Sequence, residues 1–362
     1  MARALQLARR ALGRTAPNPA VGAVIVNHGR IVGEGYHRRA GLPHAEVEAI
    51  RRAGLRARRA TLYVTLEPCQ HTGRTPPCCD AILSAGLARV VAATVDPNPL
   101  TRGRGFTRLR RAGIVVMTGV LKPEAQRLIE PFSKVMRAGL PFVIGKIGQS
   151  LDGKIATANG ESRWITSPAS RRLAHEWRSR ADAMLVGVRT VLRDDPRLTV
   201  RGVPHRPGRP VRVIVDSRLR TPLTARCLAR SSATPTLIAT TRHYAARSQV
   251  FKRRGVEVVV LPARNGRVSL VALCRLLAAR GLHTVLIEGG GEVMASALNE
   301  RLIDRLVWIV APMLIGGRAA PGSVGGTGVA HLARAIRLRE VSCRRVGPDL
   351  CVEARVVYPR PR

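Results

Sequence analysis

Acidic side chains and aromatic rings are both scarce in this sequence. Among 362 residues, 23 are Asp or Glu against 61 Lys or Arg, which gives a formal net charge of +38, and aromatic residues make up 3%. A charge of this size ordinarily suggests a nucleic-acid partner. Arginine is, however, spread along the whole chain, and platforms on which bases could stack are few. The composition therefore favours a solvated arginine-rich surface over a binding face for nucleic acid.

The sequence also lacks long apolar runs and an even number of cysteines that could pair in disulfides. The sequence contains no run of about 18 apolar residues that could span a membrane, and its first segment lacks the apolar core of a signal peptide, so we expect a cytoplasmic protein. The seven cysteines are an odd number, which argues against a disulfide framework and for metal binding or catalysis. The 45% of apolar residues suffices for packed cores in two or three domains.

Strand and helix patterns alternate along the chain and predict two α/β domains, 1–140 and 141–362. In the first domain, segments 21–26 and 30–36 flank Asn27-His28-Gly29 and predict a hairpin. Later strands are predicted at 60–66, 88–95 and 114–118, and helices at 44–53, 76–85 and 107–112. The stretch from Pro131 to Pro141 predicts the junction between the domains. Beyond it, at least six strands alternate with helices at 168–180, 269–280 and 292–300.

One histidine and two cysteines of the first domain have the types and spacing of zinc ligands. His44 opens a predicted helix, Cys69 follows a strand and Cys78 begins another helix. One imidazole and two thiolates fill three corners of a tetrahedral site and leave the fourth for water, as in catalytic zinc centres. Glu46, two residues after His44, can move a proton without ligating the metal. This pattern indicates a zinc deaminase of cytosine-like rings.

The loop between the two cysteines differs from the short spacing of that signature and carries two further candidates. It runs QHTGRTPP and holds His71 and Arg74. A cation over the site suits a phosphate or another anionic group of the substrate. Asn18, before the first strand, has the donors and the acceptor to read a pyrimidine-like amide edge. A simple turn residue before Pro19 is an equally good interpretation of Asn18.

The segments TAPNPAVGAVIV, GEGYHRRAGLPHAEVEAI and TLEPCQHTGRTPPCCDAI resemble the deaminase half of the bifunctional riboflavin-biosynthesis deaminase/reductases. The second half resembles the reductase domain of that family through KIGQSLDGKIAT, GESRWITS, ADAMLVGVRTVLRDDPRLTVR, IVDS and IEGGGEVMASAL. The resemblance implies a cytidine-deaminase-like three-layer α/β/α domain followed by a dihydrofolate-reductase-like α/β domain.

The resemblance also implies residue roles. In the deaminase domain, His44, Cys69 and Cys78 would hold one zinc ion per chain and Glu46 would be the catalytic proton shuttle. The substrate contacts implied there are Asn18, His37, His71 and Arg74. In the reductase domain, the substrate contacts implied are Ser162, Arg178, Leu198, Arg201 and Glu288. The NADPH contacts implied are Gly148, Trp164, Thr190, Asp194, Ser217, Gly290, Gly291, Glu292, Val293, Met294, Ala295 and Ser296.

The glycine-rich stretch Glu288-Gly289-Gly290-Gly291 supports the second assignment independently. It follows a predicted buried strand and precedes a helix, so its N–H groups can receive a diphosphate; a plain turn is the alternative. Lys146 is a candidate for polarising the ribose end of the substrate, and a surface lysine is the alternative.

The function expected from these motifs has two steps. The first is zinc-dependent hydrolytic deamination of 2,5-diamino-6-(5-phosphoribosylamino)pyrimidin-4-one, and the second is NADPH-dependent reduction of the ribosyl side chain to ribityl. We expect a small phosphorylated pyrimidine as substrate and a homo-oligomer, a dimer or tetramer. One alternative is a deaminase of bases in tRNA or single-stranded DNA. Another is a basic nucleic-acid-binding module whose zinc is structural.

Overall fold

The structure is a computed structural model that describes residues 1–73, 75–204, 210–229 and 234–359. The chain divides into two compact units, Met1–Leu140 and Pro141–Arg362. Each unit contains a sheet of its own. Within the described ranges, no helix combines the length and the apolar character needed to cross a lipid bilayer.

Unit 1 is built on a five-stranded sheet of order β2-β1-β3-β4-β5, in which β1 runs antiparallel to both of its neighbours and the other pairings are parallel. Its strands are β1 (Gly22–Asn27), β2 (Arg30–Tyr36), β3 (Thr61–Val64), β4 (Arg89–Ala92) and β5 (Val115–Thr118). Its helices are α1 (Ala2–Arg9), α2 (Ala45–Ala53), α3 (Cys78–Ser84), α4 (Arg104–Arg111), α5 (Lys122–Leu128) and α6 (Glu130–Ala138).

Helices cover both faces of this sheet because the side chains of β1 are apolar on both sides. Val24 packs with Ala4 and Leu7 of α1 on one face, while Ile25 joins Ala49 of α2 in the core on the other. The three-layer α/β/α arrangement predicted for this part is therefore confirmed. The predicted hairpin is also present, with His28 and Gly29 at positive φ (45° and 74°), as a two-residue turn between antiparallel strands requires.

Unit 2 is built on a nine-stranded sheet of order β10-β9-β8-β7-β13-β6-β14-β16-β15, and two further short strands, β11 and β12, pair with each other in a separate sheet. Pairings from β10 to β14 are parallel, and the last two strands are antiparallel. Its strands are β6 (Phe142–Ser150), β7 (Ala183–Gly187), β8 (Val211–Val215), β9 (Thr236–Thr241), β10 (Glu257–Leu261), β11 (Ala263–Arg264), β12 (Arg267–Val268), β13 (Thr284–Glu288), β14 (Ile303–Ala311), β15 (Arg337–Val346) and β16 (Asp349–Val357). Its helices are α7 (Pro168–Arg180), α8 (Val188–Asp194), α9 (Ser248–Lys252), α10 (Leu270–Ala279) and α11 (Gly291–Asn299).

The carboxyl ends of the parallel strands place the candidate site of unit 2. Lys146 of β6 is the register partner of Glu288 of β13, and α11 begins just after that strand. In open parallel sheets, ligands bind at this edge.

The stretch 131–141, predicted as the junction, is largely helical. Residues 130–138 form α6, with Pro131 in its first turn, and the boundary between the two compact units follows Leu140. A proline there loses no hydrogen bond, because the first N–H groups of a helix have no partner within it.

Candidate active sites

His44, Cys69 and Cys78 converge in unit 1, with one ligand atom of each within 4.8 Å of the others. His44 caps the N-terminus of α2, and Cys78 is the first residue of α3. The Nδ1 atom of His44 faces both sulfurs, at 3.1 Å from Cys78 Sγ and 3.6 Å from Cys69 Sγ. The Nε2 atom lies 3.3 Å from the Thr75 hydroxyl. The imidazole is therefore oriented with Nδ1 inward, as outer hydrogen bonds orient metal-binding histidines.

This donor set fits Zn²⁺. Hydrogen bonds from Cys78 and His44 lower the pKa of the Cys69 thiol to about 4. The pKa of the buried Cys78 thiol is raised, because its S–H donates to Cys69 and because burial disfavours a second negative charge. Two thiolates this close need a cation between them, and zinc with one nitrogen and two sulfur ligands satisfies that need.

Glu46 lies in the first turn of α2 with 4% of its surface exposed. Its carboxyl group lines the same cavity as His44 and Cys69, a pocket of about 180 Å³. Burial raises the pKa of Glu46 to about 7. A carboxyl group with such a pKa exchanges a proton readily near neutral pH.

Asn18 and His37 form one hydrogen-bonded unit on the cavity wall. The Asn18 Nδ2 and His37 Nε2 atoms are 3.0 Å apart, and His37 Nδ1 lies 3.2 Å from the carbonyl oxygen of Pro43. Burial lowers the pKa of His37, so the neutral ring donates from Nδ1 and accepts from Asn18. This arrangement fixes the amide of Asn18 and leaves its carbonyl oxygen as an acceptor for a ligand.

The loop between the cysteines is described except for Arg74, which lies outside the described residues. His71 lines the cavity, with Nδ1 at 3.2 Å from the hydroxyl of Thr101. Sequence reasoning missed Asp96 and Asn98, which also line the cavity and follow β4. The signal available was their position after a parallel strand, where polar residues meet a ligand.

Arg178, Glu288 and Lys146 form a buried charged group in unit 2. The Nε atom of Arg178 donates to both carboxylate oxygens of Glu288 at 2.9 Å, and Nη2 donates to Oε2 at 2.6 Å. Although burial opposes the charge of Glu288, Arg178 and Lys146 lower its pKa. Burial lowers the pKa of Lys146. Lys146 lies inside β6 and is half-buried, and its role at the ribose end of the substrate stays a prediction.

The other predicted substrate contacts of unit 2 are divided between two places. Leu198 and Arg201 lie on the segment after α8, beside Arg178, whose Nη1 donates to the carbonyl of Thr199 at 3.1 Å. The Ser162 hydroxyl donates to Asp194 Oδ1 at 2.9 Å, so this predicted substrate residue contacts a predicted NADPH residue.

The predicted NADPH contacts include both accessible and buried side chains. Trp164 is 65% exposed and stacks under the guanidinium of Arg171, which lies 4.5 Å from the ring centroid. The Ser217 hydroxyl accepts from the N–H of Val268 at 3.0 Å. Gly148 lies in β6 against the side chain of Thr166.

The glycine stretch before α11 bends sharply, with Gly289 and Gly290 at φ of 72° and 78°. A Cβ at Gly290 would lie 3.2 Å from the hydroxyl of Thr190, so the loop passes close to that predicted NADPH residue. The N–H groups of Val293 and Met294 donate to the Gly290 carbonyl at 3.1 Å. The loop can therefore offer a diphosphate the first N–H groups of α11, at Gly291 and Glu292.

The remaining residues of that stretch differ in what they expose. Met294 and Ala295 are buried, and Met294 packs against Gly145 of β6. The Ser296 hydroxyl donates to the carbonyl of Glu292 at 2.9 Å. Direct side-chain contact with a cofactor is thus open to Glu292 and Val293 rather than to Met294.

These features define the class of the protein: a zinc-dependent deaminase joined in one chain to a nucleotide-dependent reductase. Residues 1–94 match the family described as cytidine and deoxycytidylate deaminase zinc-binding region, and residues 141–352 match the RibD C-terminal domain. The riboflavin biosynthesis protein RibD of Aquifex aeolicus is 45% identical over 96% of this chain and 95% of its own length. RibD of Escherichia coli is 44% identical over 97% of both chains.

Solved structures agree with this match. Acinetobacter baumannii RibD superposes with a TM-score of 0.89 at 37% identity, covering 98% of this chain and 97% of that chain. A Thermotoga maritima diaminohydroxyphosphoribosylaminopyrimidine deaminase/5-amino-6-(5-phosphoribosylamino)uracil reductase superposes with a TM-score of 0.85 at 35% identity, covering 99% and 97%. The chain belongs to the RibD family of bifunctional deaminase/reductases of riboflavin biosynthesis. Its cofactors are zinc and NADPH, and the expected main function is confirmed over the two nucleic-acid alternatives.

Proposed function

We propose that unit 1 deaminates 2,5-diamino-6-(5-phosphoribosylamino)pyrimidin-4-one and that unit 2 reduces the ribosyl chain of the product to ribityl. The observation that carries the first half is the convergence of His44 Nδ1, Cys69 Sγ and Cys78 Sγ within 4.8 Å beside the buried carboxyl of Glu46. The printed name of the Thermotoga maritima relative supports the choice of substrate.

In the first step, water adds to the ring carbon that bears the 2-amino group, and the carbon–nitrogen bond breaks to release ammonia. Zinc held by His44, Cys69 and Cys78 supplies Lewis-acid chemistry that makes water a nucleophile near neutral pH. Glu46 takes one proton from the water and returns it to the leaving amine. Asn18, oriented by His37, holds the amide edge of the ring. His71 on the cavity wall, together with Arg74 as the family resemblance implies, would bind the phosphoribosyl end.

For the second step, NADPH would supply, when bound, the hydride that reduces the opened ribosyl group. Arg178, Arg201 and Glu288 bind the substrate, together with Ser162 and Leu198. The cofactor is held by the start of α11 and by Trp164, Thr190, Asp194 and Ser217. Arginine suits the phosphate because its guanidinium matches phosphate oxygens in pairs.

The domain assignment 1–140 and 141–362, cytoplasmic residence and a dimer or tetramer are part of the same proposal. The two compact units support the first. We infer no nucleic-acid partner, because arginine is spread along the whole chain and aromatic residues make up only 3% of the sequence.

The proposal is tested by Glu46→Gln, which keeps the size of the side chain but removes its proton exchange. We expect ammonia release from the phosphorylated diaminopyrimidine to fall by about 100- to 10,000-fold, with zinc content unchanged. NADPH oxidation on the deaminated substrate should stay at the wild-type rate.

Glu48→Gln is the matched control, because Glu48 lies on the same helix but pairs with Arg51 at 3.3 Å. This variant should release ammonia normally. Wild-type ammonia release by Glu46→Gln would overturn the role of Glu46. Turnover of tRNA or single-stranded DNA without turnover of the pyrimidine would overturn the substrate.

A further inference from the structure

His175 lies on α7 and contacts the segment that follows α8. Its Nδ1 atom accepts a hydrogen bond from the backbone N–H of Arg201 at 3.2 Å. No role for this residue follows from the motifs described above. This hydrogen bond involves the backbone of Arg201 and not its side chain, so it fixes the backbone conformation of the segment.

Arg178 holds the same segment from the next turn of α7. Its Nη1 atom donates to the carbonyl of Thr199 at 3.1 Å, while its other nitrogens are bound to Glu288. Residues three apart on a helix lie on one face. His175 and Arg178 therefore form a two-point clamp on residues 199–201.

The clamped segment has a backbone that needs such support. Leu198 has a φ of 46° and is buried, with 3% of its surface exposed. A branched residue rarely adopts this left-handed conformation, because its side chain then crowds its own backbone. The surrounding contacts must keep it there, and the His175 and Arg178 hydrogen bonds lie one to three residues away.

The hydrogen bond from Arg201 requires a neutral imidazole with a lone pair on Nδ1. Burial and the nearby guanidinium groups of Arg178 and Arg201 lower the pKa of His175 to about 4, against the opposing effects of Glu288 and the Thr199 carbonyl. The ring is therefore neutral throughout the physiological range.

Three other arginines lie close enough to Arg201 to affect its charge, and one of them, Arg178, is paired with Glu288. Burial lowers the pKa of Arg201, and so do the charges of Arg178, Arg197 and Arg226. Like charges gathered at one place favour binding of an anion, since the anion relieves their repulsion. A phosphate monoester is the anion that the proposed substrate carries.

We propose that His175 is a positioning residue of the reductase site, which holds residues 198–201 so that Arg201 reaches the phosphate of the substrate. The inference rests on the function proposed for unit 2. It adds to that function a specific requirement, a hydrogen-bond acceptor at the position of His175 Nδ1.

The test compares His175→Leu, His175→Asn and His175→Gln in the full-length zinc-loaded protein. Asparagine places Oδ1 near the position of Nδ1, whereas glutamine places its acceptor farther out and leucine has none. NADPH oxidation is followed with the deaminated substrate carrying its phosphate, and with the same compound after dephosphorylation.

We expect His175→Leu and His175→Gln to raise KM for the phosphorylated substrate about three- to tenfold, the effect of one lost hydrogen bond. The KM for the dephosphorylated compound and for NADPH should stay unchanged. His175→Asn should restore KM to within about twofold of wild type. His243→Leu is the matched control, because His243 is an exposed histidine of the same unit that contacts Tyr244.

Ammonia release by each variant reports the state of unit 1. Equal KM values for the Asn and Leu variants, or equal losses on both substrates, would overturn the positioning role in favour of simple packing. Failure of the wild-type protein to oxidise NADPH with either compound would instead overturn the function proposed for unit 2.

Discussion

Two side chains in the deaminase site each make two contacts, one that faces the ligand and one that fixes the orientation of the group. His44 presents Nδ1 to two sulfurs and Nε2 to Thr75, and Asn18 presents one end of its amide to His37. The second contact in each pair fixes the orientation of the first, which lowers the entropy lost when a ligand binds. Substituting an orienting residue should therefore weaken binding without removing the group that binds.

Cys69, a predicted zinc ligand, and Cys79, a buried cysteine outside the ligand set, allow a sharp test of the metal site. Cys69→Ser should reduce zinc to a small fraction of one ion per chain and lower ammonia release by more than about 100-fold, because a hydroxyl is a far poorer zinc ligand than a thiolate. Zinc is measured by metal analysis of the purified protein. NADPH oxidation on the deaminated substrate should be unaffected.

Cys79→Ser is the control for that experiment, since the Cys79 thiol donates to the Pro68 carbonyl and burial raises its pKa to about 12. We expect this variant to retain zinc. If both serine variants lose the metal equally, the ligand set is wrong.

At the scale of the residue, the zinc ligands and the proton shuttle were easier to predict than the residues that orient and surround them. His44, Glu46, Cys69 and Cys78 could be singled out because few residue types bind zinc or move protons, and their spacing is characteristic. Thr75 could not, because a hydroxyl in a loop has many possible uses, and Asp96 carried only the weak signal that it follows a parallel strand. Only the folded path of the loops brings them to the cavity.

At the scale of elements, one carboxylate joins two loops that line the deaminase cavity. Glu67, just after β3, is 3% exposed. Its Oε2 accepts from the N–H groups of Asp96 at 3.1 Å and Gly103 at 2.9 Å, and its Oε1 from Gly105 at 3.0 Å and Phe106 at 3.3 Å. The loop after β3, which continues to Cys69, is thereby tied to the segment between β4 and α4.

Glu67→Gln should destabilise unit 1 by about 2–4 kcal/mol. The amide keeps only one of the two acceptor oxygens, and its NH₂ group would face backbone N–H groups that have lost their acceptor. The measurement is the midpoint of the urea transition in which ammonia release is lost. Glu34→Gln, which removes an exposed ion pair with Arg3, should cost less than about 1 kcal/mol. Similar midpoints for the two variants would contradict the argument.

Elements whose signals are local were predicted well. The hairpin of β1 and β2 has its own turn residues, and the bounds predicted for helix 168–180 are those of α7. Helix α6 was taken for a junction because Pro131 was weighed without its position in the first turn. Strand β15 escaped prediction because its residues are exposed on both faces, so no apolar alternation marks it.

At the scale of the whole molecule, the two units have separate sheets and separate apolar cores. A chain segment with its own core can fold alone. Residues 141–362 expressed alone should therefore oxidise NADPH with the deaminated substrate, at a rate within about tenfold of the full chain. The assay is NADPH absorbance under saturating substrate.

The same fragment with Glu288→Gln is the control, since it breaks the pair with Arg178 and should lose this activity. A fragment that folds, as judged by a cooperative thermal transition, yet oxidises no NADPH would show that the reductase site has been misidentified.

On the exposed strand β15, the arginine-rich composition has a structural consequence. As the last strand of the nine-stranded sheet, it turns one row of backbone N–H and C=O groups away from β16. Such a border invites stacking of further chains into aggregates, and natural proteins counter this with charged side chains. Arg337, Arg339, Arg344 and Arg345 all lie along β15 and are exposed. Charged side chains on an edge strand oppose its pairing with further strands, so we expect this part of the large positive charge to favour colloidal stability.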